Sequence, residues 1–170
     1  MKVIILAGGL GTRLSELTHS IPKPMVTIGN IPIIDHVINI YKKFNHKDFY
    51  IAMGYKHEIL VNHYKNLSKS KKLIQLPLKE GEKIKFKIKD IKINLIHTGK
   101  NTKTGLRIKK LKKYITDKIF LITYGDGLIN ANINEIIKFH KINKKILTLT
   151  AVRPPARFGE LVLKESAVLK

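Results

Sequence analysis

Apolar residues follow two rhythms along this 170-residue chain. Short continuous runs rich in isoleucine, valine and leucine alternate with longer segments whose apolar positions recur at helical spacing. Residues 2–7, centred on Val3-Ile4-Ile5-Leu6-Ala7, carry no polar alternation and predict a strand buried on both faces. Residues 32–44 place Ile33, Ile34, Val37, Ile38 and Tyr41 on one stripe and predict a helix, with Pro32 suited to its first position. Phe49-Tyr50-Ile51-Ala52-Met53 predicts the next strand, ended by Gly54, and Glu58 to Leu67 the next helix. From Ser68 to Lys89 the pattern weakens into lysine-rich segments around Pro77 and Gly81, which predicts an excursion off the main sheet. Regularity then returns: a strand over 91–96, a helix from Gly105 to Tyr114, a strand from Ile119 to Tyr124, a helix from Ile133 to Ile142, and a strand from Ile146 to Val152. Strands alternating with helices predict an α/β fold with a mainly parallel, layered sheet. No internal repeat and no long linker interrupt the pattern, so residues 1–170 are expected to form one domain.

Composition narrows this picture. A chain of this length can bury about two thirds of its unfolded surface, and at 44% hydrophobic residues it is globular rather than disordered. There is no cysteine, which excludes disulfides and thiolate metal sites. No apolar stretch is long enough to cross a bilayer, and no basic segment leads into a long apolar run, so a soluble cytoplasmic protein with no membrane partner is expected. The net charge is +21, nearly all from dispersed lysine. Nucleic-acid binding is the sharper reading of that charge. Against it, aromatic residues are few and not interleaved with the basic ones, and no helix-turn-helix, RRM or OB pattern is present. A solvated, lysine-rich surface that favours anionic substrates is the better reading, with no specific nucleic-acid partner.

The candidate chemistry begins where the first strand ends. Leu6 and Ala7 lead into Gly8-Gly9-Leu10-Gly11-Thr12-Arg13, and Ile21-Pro22-Lys23-Pro24-Met25 follows. Glycines after a buried strand let backbone N–H groups approach a ligand with no Cβ in the way, and successive N–H groups form an anion-binding concavity. Arg13 and Lys23 add a guanidinium fork and an ammonium, a set that suits a polyphosphate. The spacing is not that of a P-loop, which needs four residues between its first glycine and Gly-Lys-Ser/Thr. Nor is it a Rossmann fingerprint: Leu14 stands where the third glycine or alanine belongs, and Pro22 and Pro24 interrupt helix early.

A second site follows the strand ending at Tyr124, where Asp126 emerges between Gly125 and Gly127. Ligands of parallel sheets bind outside the carboxyl ends of strands, so Asp126 and the glycine loop can face one another. Its carboxylate suits Mg²⁺, which takes one or two carboxylates together with phosphate oxygens and water. A solvent-facing turn aspartate would have the same spelling. Between the two sites, Thr98 to Arg107 follows a strand and opens a helix. Thr102, Thr104 and Gly105 can present hydrogen-bonding groups to a base edge, one threonine capping the helix while the other serves the ligand. His36, His57 and His140 sit in helical contexts and read as structural.

The glycine-loop spelling resembles the signature of the sugar-phosphate nucleotidyltransferases. Further strings narrow the resemblance to the glucose-1-phosphate cytidylyltransferases: Lys23-Pro24-Met25, Ile28-Gly29, Pro32-Ile33, His36, Gly54-Tyr55-Lys56, Thr104-Gly105-Leu106-Arg107, Tyr124-Gly125-Asp126-Gly127 and Leu147 to Leu161. The resemblance implies a Rossmann-like, three-layer α/β/α nucleotide-diphospho-sugar transferase fold. It implies CTP and glucose 1-phosphate as substrates, CDP-glucose and pyrophosphate as products, and a use in bacterial deoxysugar and O-antigen synthesis. On this reading Leu6 to Arg13, Lys23, Thr102, Thr104, Gly105, Arg107 and Gly125 bind the nucleotide. Arg13, Lys23 and Asp126 act on the phosphates, Asp126 holding Mg²⁺. The family runs on well past Leu161-Val162-Leu163, so the segment bearing sugar contacts and a second metal-binding aspartate is expected to be missing. Homo-oligomers are implied as well, although residues 68–89 match the family poorly. A truncated homologue that binds nucleotide without turnover, or one using another nucleotide or sugar phosphate, fits the same residues.

Overall fold

The apolar run at the amino end becomes β1 (Lys2–Ala7), buried from Val3 onward. In the computed structural model, which describes residues 1–9 and 20–153 and the backbone of 163–164 and 167–168, a 3₁₀ turn at Lys23–Met25 follows. Next come the two-residue strands β2 (Thr27–Ile28) and β3 (Ile31–Pro32) and helix α1 (Ile33–Lys43). The middle of the chain supplies β4 (Asp48–Met53), α2 (His57–Leu67), β5 (Lys83–Ile88), β6 (Ile91–His97) and α3 (Thr104–Leu111). Last are β7 (Leu121–Tyr124), α4 (Ile133–Asn143) and the short strands β8 (Leu163–Lys164) and β9 (Ala167–Val168). By packing, the chain divides into two compact units, Met1–Ala131 and Asn132–Lys170. The second unit contains α4 and the antiparallel pair β8–β9.

The first unit is built on a five-stranded sheet of order β5-β6-β4-β1-β7. Ile5 of β1 sits opposite Ile51 of β4 and Thr123 of β7, both pairings parallel, and β4 continues in parallel to β6. Successive side chains of a strand point to opposite faces. On one face Ile4, Leu6, Tyr50, Ala52 and Ile96 form a cluster with Leu111, and Ile108 of α3 packs against it. On the other, Val3, Ile5, Phe49, Ile51, Ile93 and Leu95 are fully buried, which leaves that face to α1 and α2. These two helices are joined to each other: Asp35 of α1 accepts a bond from the Tyr64 hydroxyl at 3.0 Å and pairs with His63 Nε2 at 2.7 Å. The expected three-layer, mainly parallel α/β arrangement is therefore present.

Three local expectations need correction. Pro32 precedes α1 as its cap, with extended ψ, instead of opening the helix; pairing with Thr27 in β3 holds it extended. Residues 83–88 do not leave the sheet. They form its antiparallel edge strand, with Ile84 and Phe86 inward and Lys85 and Lys87 outward. Lysines on the open side of an edge strand discourage pairing with other chains, and here they masked a period-two pattern as loop composition. Residues 146–152 form no strand. Ile146, Leu147, Leu149 and Val152 are exposed, and no described strand offers this run a ladder. High β propensity needs a half-buried sheet surface to act on.

His57, at the start of α2, is buried and accepts the Leu78 N–H at its Nε2, 2.9 Å away. Its ring stacks on that of His97, centroids 4.0 Å apart. Burial first, and then the neighbouring His97, push the His57 pKa below its usual value, with Glu58 pulling the other way. A histidine with a depressed folded-state pKa stabilises the fold above its unfolded pKa, about 6.5. That stability is lost as pH falls through the folded value. The melting temperature should therefore drop between pH 7 and pH 5, and less steeply in His57→Gln, whose amide oxygen can still accept the Leu78 N–H. Parallel pH profiles for the two proteins would show that His57 is not the group responsible.

Candidate active site

Because β1, β4, β6 and β7 run in one direction, the segments that follow them gather at one edge of the sheet, where α/β folds bind ligands. Gly8-Gly9 follows β1, Gly54-Tyr55 follows β4, Thr98 to Lys103 follows β6 and Gly125-Asp126 follows β7. Leu10, Gly11, Thr12 and Arg13 lie outside the described residues. Leu6 and Ala7, expected to touch nucleotide, have buried side chains. The Leu6 carbonyl accepts the Gly125 N–H at 2.9 Å, which extends the β1–β7 ladder by one bond and fixes where Asp126 leaves the sheet.

The structure brings two of the expected phosphate-handling residues together. Lys23 Nζ lies 2.5 Å from Asp126 Oδ2, each side chain partly exposed. Lys23 is held by a rigid local frame. Pro22 caps its 3₁₀ turn, Pro24 is buried, the Met25 N–H bonds the Pro22 carbonyl at 2.8 Å, and Ile33 donates to Val26 at 2.9 Å. Prolines fix φ at both flanks, so the lysine enters the site from a backbone with little freedom.

Arg107 differs most from expectation. It is 4% exposed, and both terminal nitrogens of its guanidinium are occupied within the protein. Nη1 donates to the Thr98 hydroxyl at 2.6 Å, the Gly99 carbonyl at 2.8 Å and the Met53 carbonyl at 3.1 Å. Nη2 donates to the carbonyls of Gly8 at 2.7 Å and Lys100 at 3.1 Å. The residue therefore joins the ends of β1, β4 and β6 to α3 instead of presenting its fork to a base. Gly8 and Gly54 make room for it: a Cβ on Gly8 would overlap the guanidinium, and one on Gly54 would overlap both the guanidinium and the Gly8 carbonyl oxygen. At Gly8 the missing side chain thus accommodates Arg107. At Gly9, which is exposed, a Cβ would meet nothing within 4 Å.

The rest of the expected base segment divides in two. Thr102 is turned inward, its hydroxyl donating to the Thr98 carbonyl at 2.6 Å and accepting from Lys110 Nζ at 3.0 Å. Thr104 and Gly105 are exposed on the first turn of α3. Neither threonine caps that helix; Lys103 occupies the cap position and makes no side-chain cap bond. Lys110 also donates to the Thr98 carbonyl at 2.9 Å and pairs with Glu80 at 2.5 Å, and this lysine holds the Glu80 carboxyl below its usual pKa. Lys56 and Lys100 lie over the Tyr55 ring, 5.3 Å and 5.8 Å from its centroid. The edge thus combines exposed backbone after β1, the Asp126 carboxylate and several cations, a set suited to a phosphorylated ligand and its counter-ion.

A family model described as nucleotidyl transferase matches residues 2–169. The chain belongs to the nucleotidyl transferase family. Glucose-1-phosphate cytidylyltransferases of Salmonella typhimurium and Salmonella typhi are each 41% identical over 99% of this chain and 66% of their own length. The chain therefore spans about two thirds of these curated relatives. Among solved structures, HddC from Yersinia pseudotuberculosis complexed with GMP-PN is 25% identical, with a TM-score of 0.61 over 82% of this chain and 53% of that one.

The candidate site contains supports to which the sequence reading gave no role there: Thr98, Met53, Gly54, Glu80 and Lys110. Gly54 carried a signal, since it ends a strand as Gly8 does. The others are a backbone carbonyl, a buried hydroxyl and an ion pair between α3 and a turn distant from it in sequence. Gly54→Ala should destabilise the protein by about 1–3 kcal/mol, because the Gly8 backbone oxygen cannot easily withdraw from the new methyl group. Gly9→Ala should be close to neutral. Urea unfolding of the two variants measures this, and equal stabilities would refute the slot around Arg107.

Proposed function

We propose that this chain carries the nucleotide-binding part of an enzyme that transfers a cytidylyl group from CTP to glucose 1-phosphate. The observation that carries the reading is that Gly9 and Asp126 follow adjacent parallel strands to one edge of the sheet, where Lys23 is in contact with Asp126. The similarity to the Salmonella cytidylyltransferases supports the choice of CTP and glucose 1-phosphate. The reading includes a cytoplasmic setting, a self-associated enzyme and a role in deoxysugar and O-antigen synthesis. No helix among the described residues is long and apolar enough to cross a membrane.

In this mechanism the backbone N–H groups from Gly8 to Thr12 receive the triphosphate, and Arg13 neutralises the β and γ phosphates. Lys23 exchanges its contact with Asp126 for one with phosphate oxygens. Thr104 and Gly105 are the exposed groups on the base side, with Thr102 and Arg107 behind them. Asp126 would hold Mg²⁺. It fits that task as a single hard-oxygen donor: no group of three or more His, Asp or Glu lies there among the described residues, so phosphate oxygens and water would complete the set. When bound, the ion supplies positive charge against the phosphates. A phosphate oxygen of glucose 1-phosphate attacks the α-phosphorus in line. A new O–P bond forms, the bond from the α-phosphorus to the bridging oxygen breaks, and pyrophosphate leaves with that electron pair. The attacking oxygen is already anionic, so no general base is required, and catalysis consists of positioning and charge neutralisation.

Calorimetric titration with Mg²⁺ present should show CTP bound more tightly than ATP, GTP or UTP. Equal affinities would remove the cytidylyl assignment and leave only the wider family. In the same assay Asp126→Asn should lose the gain in CTP affinity that Mg²⁺ gives over EDTA; a full Mg²⁺ effect in the variant would make Asp126 an ordinary turn residue.

Arg13→Ala should slow pyrophosphate release from CTP and glucose 1-phosphate by two to three powers of ten, a loss of about 3–4 kcal/mol in transition-state stabilisation. An unchanged rate would withdraw the role given to Arg13.

A further inference from the structure

Among the described residues Arg107 is the permanently charged side chain that is buried, and none of its hydrogen bonds goes to a carboxylate. Its Nη2 bond to the Gly8 carbonyl, 2.7 Å long, spans 99 residues of sequence. That carbonyl belongs to the peptide unit whose N–H is carried by Gly9, the exposed glycine with open space beside it. A hydrogen bond from a cation to the oxygen of a peptide draws electron density away from its nitrogen end and strengthens that N–H as a donor. The same bond holds the peptide plane in one orientation.

We propose that Arg107 is a positioning residue for the nucleotide's phosphates: it orients and polarises the Gly8–Gly9 peptide from behind and does not read the base. The inference rests on the reading that the glycine loop receives the triphosphate. Three features carry it. The guanidinium is enclosed, with both terminal nitrogens already engaged. Gly8 and Gly54 lack the side chains that would exclude it. Thr98, fully buried, locks it to the Met53 carbonyl through its own hydroxyl at 2.6 Å. A residue reading cytosine would need a free donor facing the ligand. A residue serving only the fold would have no reason to favour phosphate over nucleoside.

Binding of CTP, UTP, cytidine and inorganic tripolyphosphate to the 170-residue chain and to Arg107→Met and Arg107→Lys separates these roles. Arg107→Met should weaken CTP and tripolyphosphate by the same factor, about ten- to a hundredfold, as expected for a lost hydrogen bond to a charged group. Cytidine affinity and the CTP-to-UTP ratio should not change. Arg107→Lys, which keeps the charge without the fork, should recover part of the loss for both phosphate ligands. If Arg107→Met unfolds, Thr98→Val removes the hydroxyl that locks the guanidinium while keeping its shape, and should give the same pattern at smaller size. A collapse of the CTP-to-UTP ratio, or an equal loss for cytidine and CTP, would make Arg107 a base-reading residue and overturn the proposal while leaving the cytidylyl reading intact. Failure of the parent chain to bind either CTP or tripolyphosphate would overturn both.

Discussion

A strand with neighbours on both sides and helices over both faces can offer chemistry only at its ends. This constraint governs the first unit. β1 lies between β4 and β7, buried on both faces, and its parallel pairings send every following segment to the same edge. The apolar spelling Val3-Ile4-Ile5-Leu6-Ala7 thus determines where Gly8 and Gly9 emerge, and the β1–β7 register determines where Asp126 emerges beside them. Had β7 paired one residue out of register, its side chains would have exchanged faces, and the Lys23–Asp126 contact would have been lost.

The second constraint is a buried charge. Removing a guanidinium from water is costly unless its donors are satisfied. Here five oxygens from three separate segments satisfy it, and burial still pulls the Arg107 pKa downward. Such a group tolerates little displacement of its acceptors, because each one that moves away leaves an unpaired donor in a low-dielectric interior. Arg107 therefore ties the ends of β1, β4 and β6 into one unit. The two glycines that admit it are separated by 46 positions in sequence and read as unrelated turns until the side chain between them is seen. Lys110 and Glu80 brace the same segment from its outer side, where solvent screening makes an ion pair weaker.

Much of this was legible from pattern. Each long apolar run and amphipathic stripe through residue 143 became the element expected, because continuous runs and helical spacing report burial directly. The arrival of Gly8-Gly9 and Asp126 at one edge was legible too, since both follow parallel strands that end there. The role of Arg107 was not. Arginine after Thr-Gly spells the same whether its fork faces a ligand or a set of carbonyls, and main-chain acceptors leave no trace in the sequence. The edge strand Lys83–Ile88 was hidden by the lysines that protect it. The run from Ile146 to Val152 shows the reverse failure: strand-like residues remain without a strand where no neighbour supplies a ladder.

The net charge of +21 is a sum over lysines with different surroundings. Lys85 and Lys87 guard an open sheet edge. Lys42 and Lys47 flank Asp90 and together hold its carboxyl down to about 2, while Lys2 pairs with Asp117. These last three act at the amino-terminal end of the sheet, opposite the candidate site. Charges farther from a ligand than about 8 Å are largely screened at physiological ionic strength. Among the described residues, the cations placed to act on a phosphate at the carboxyl edge include Lys23, Lys56 and Lys100, with Arg107 buried behind the glycines. A polyphosphate can be held by this local group whatever the total charge of the protein. Replacing lysines on β5 would change solubility and non-specific association, whereas the same substitution at the carboxyl edge would act on the site itself.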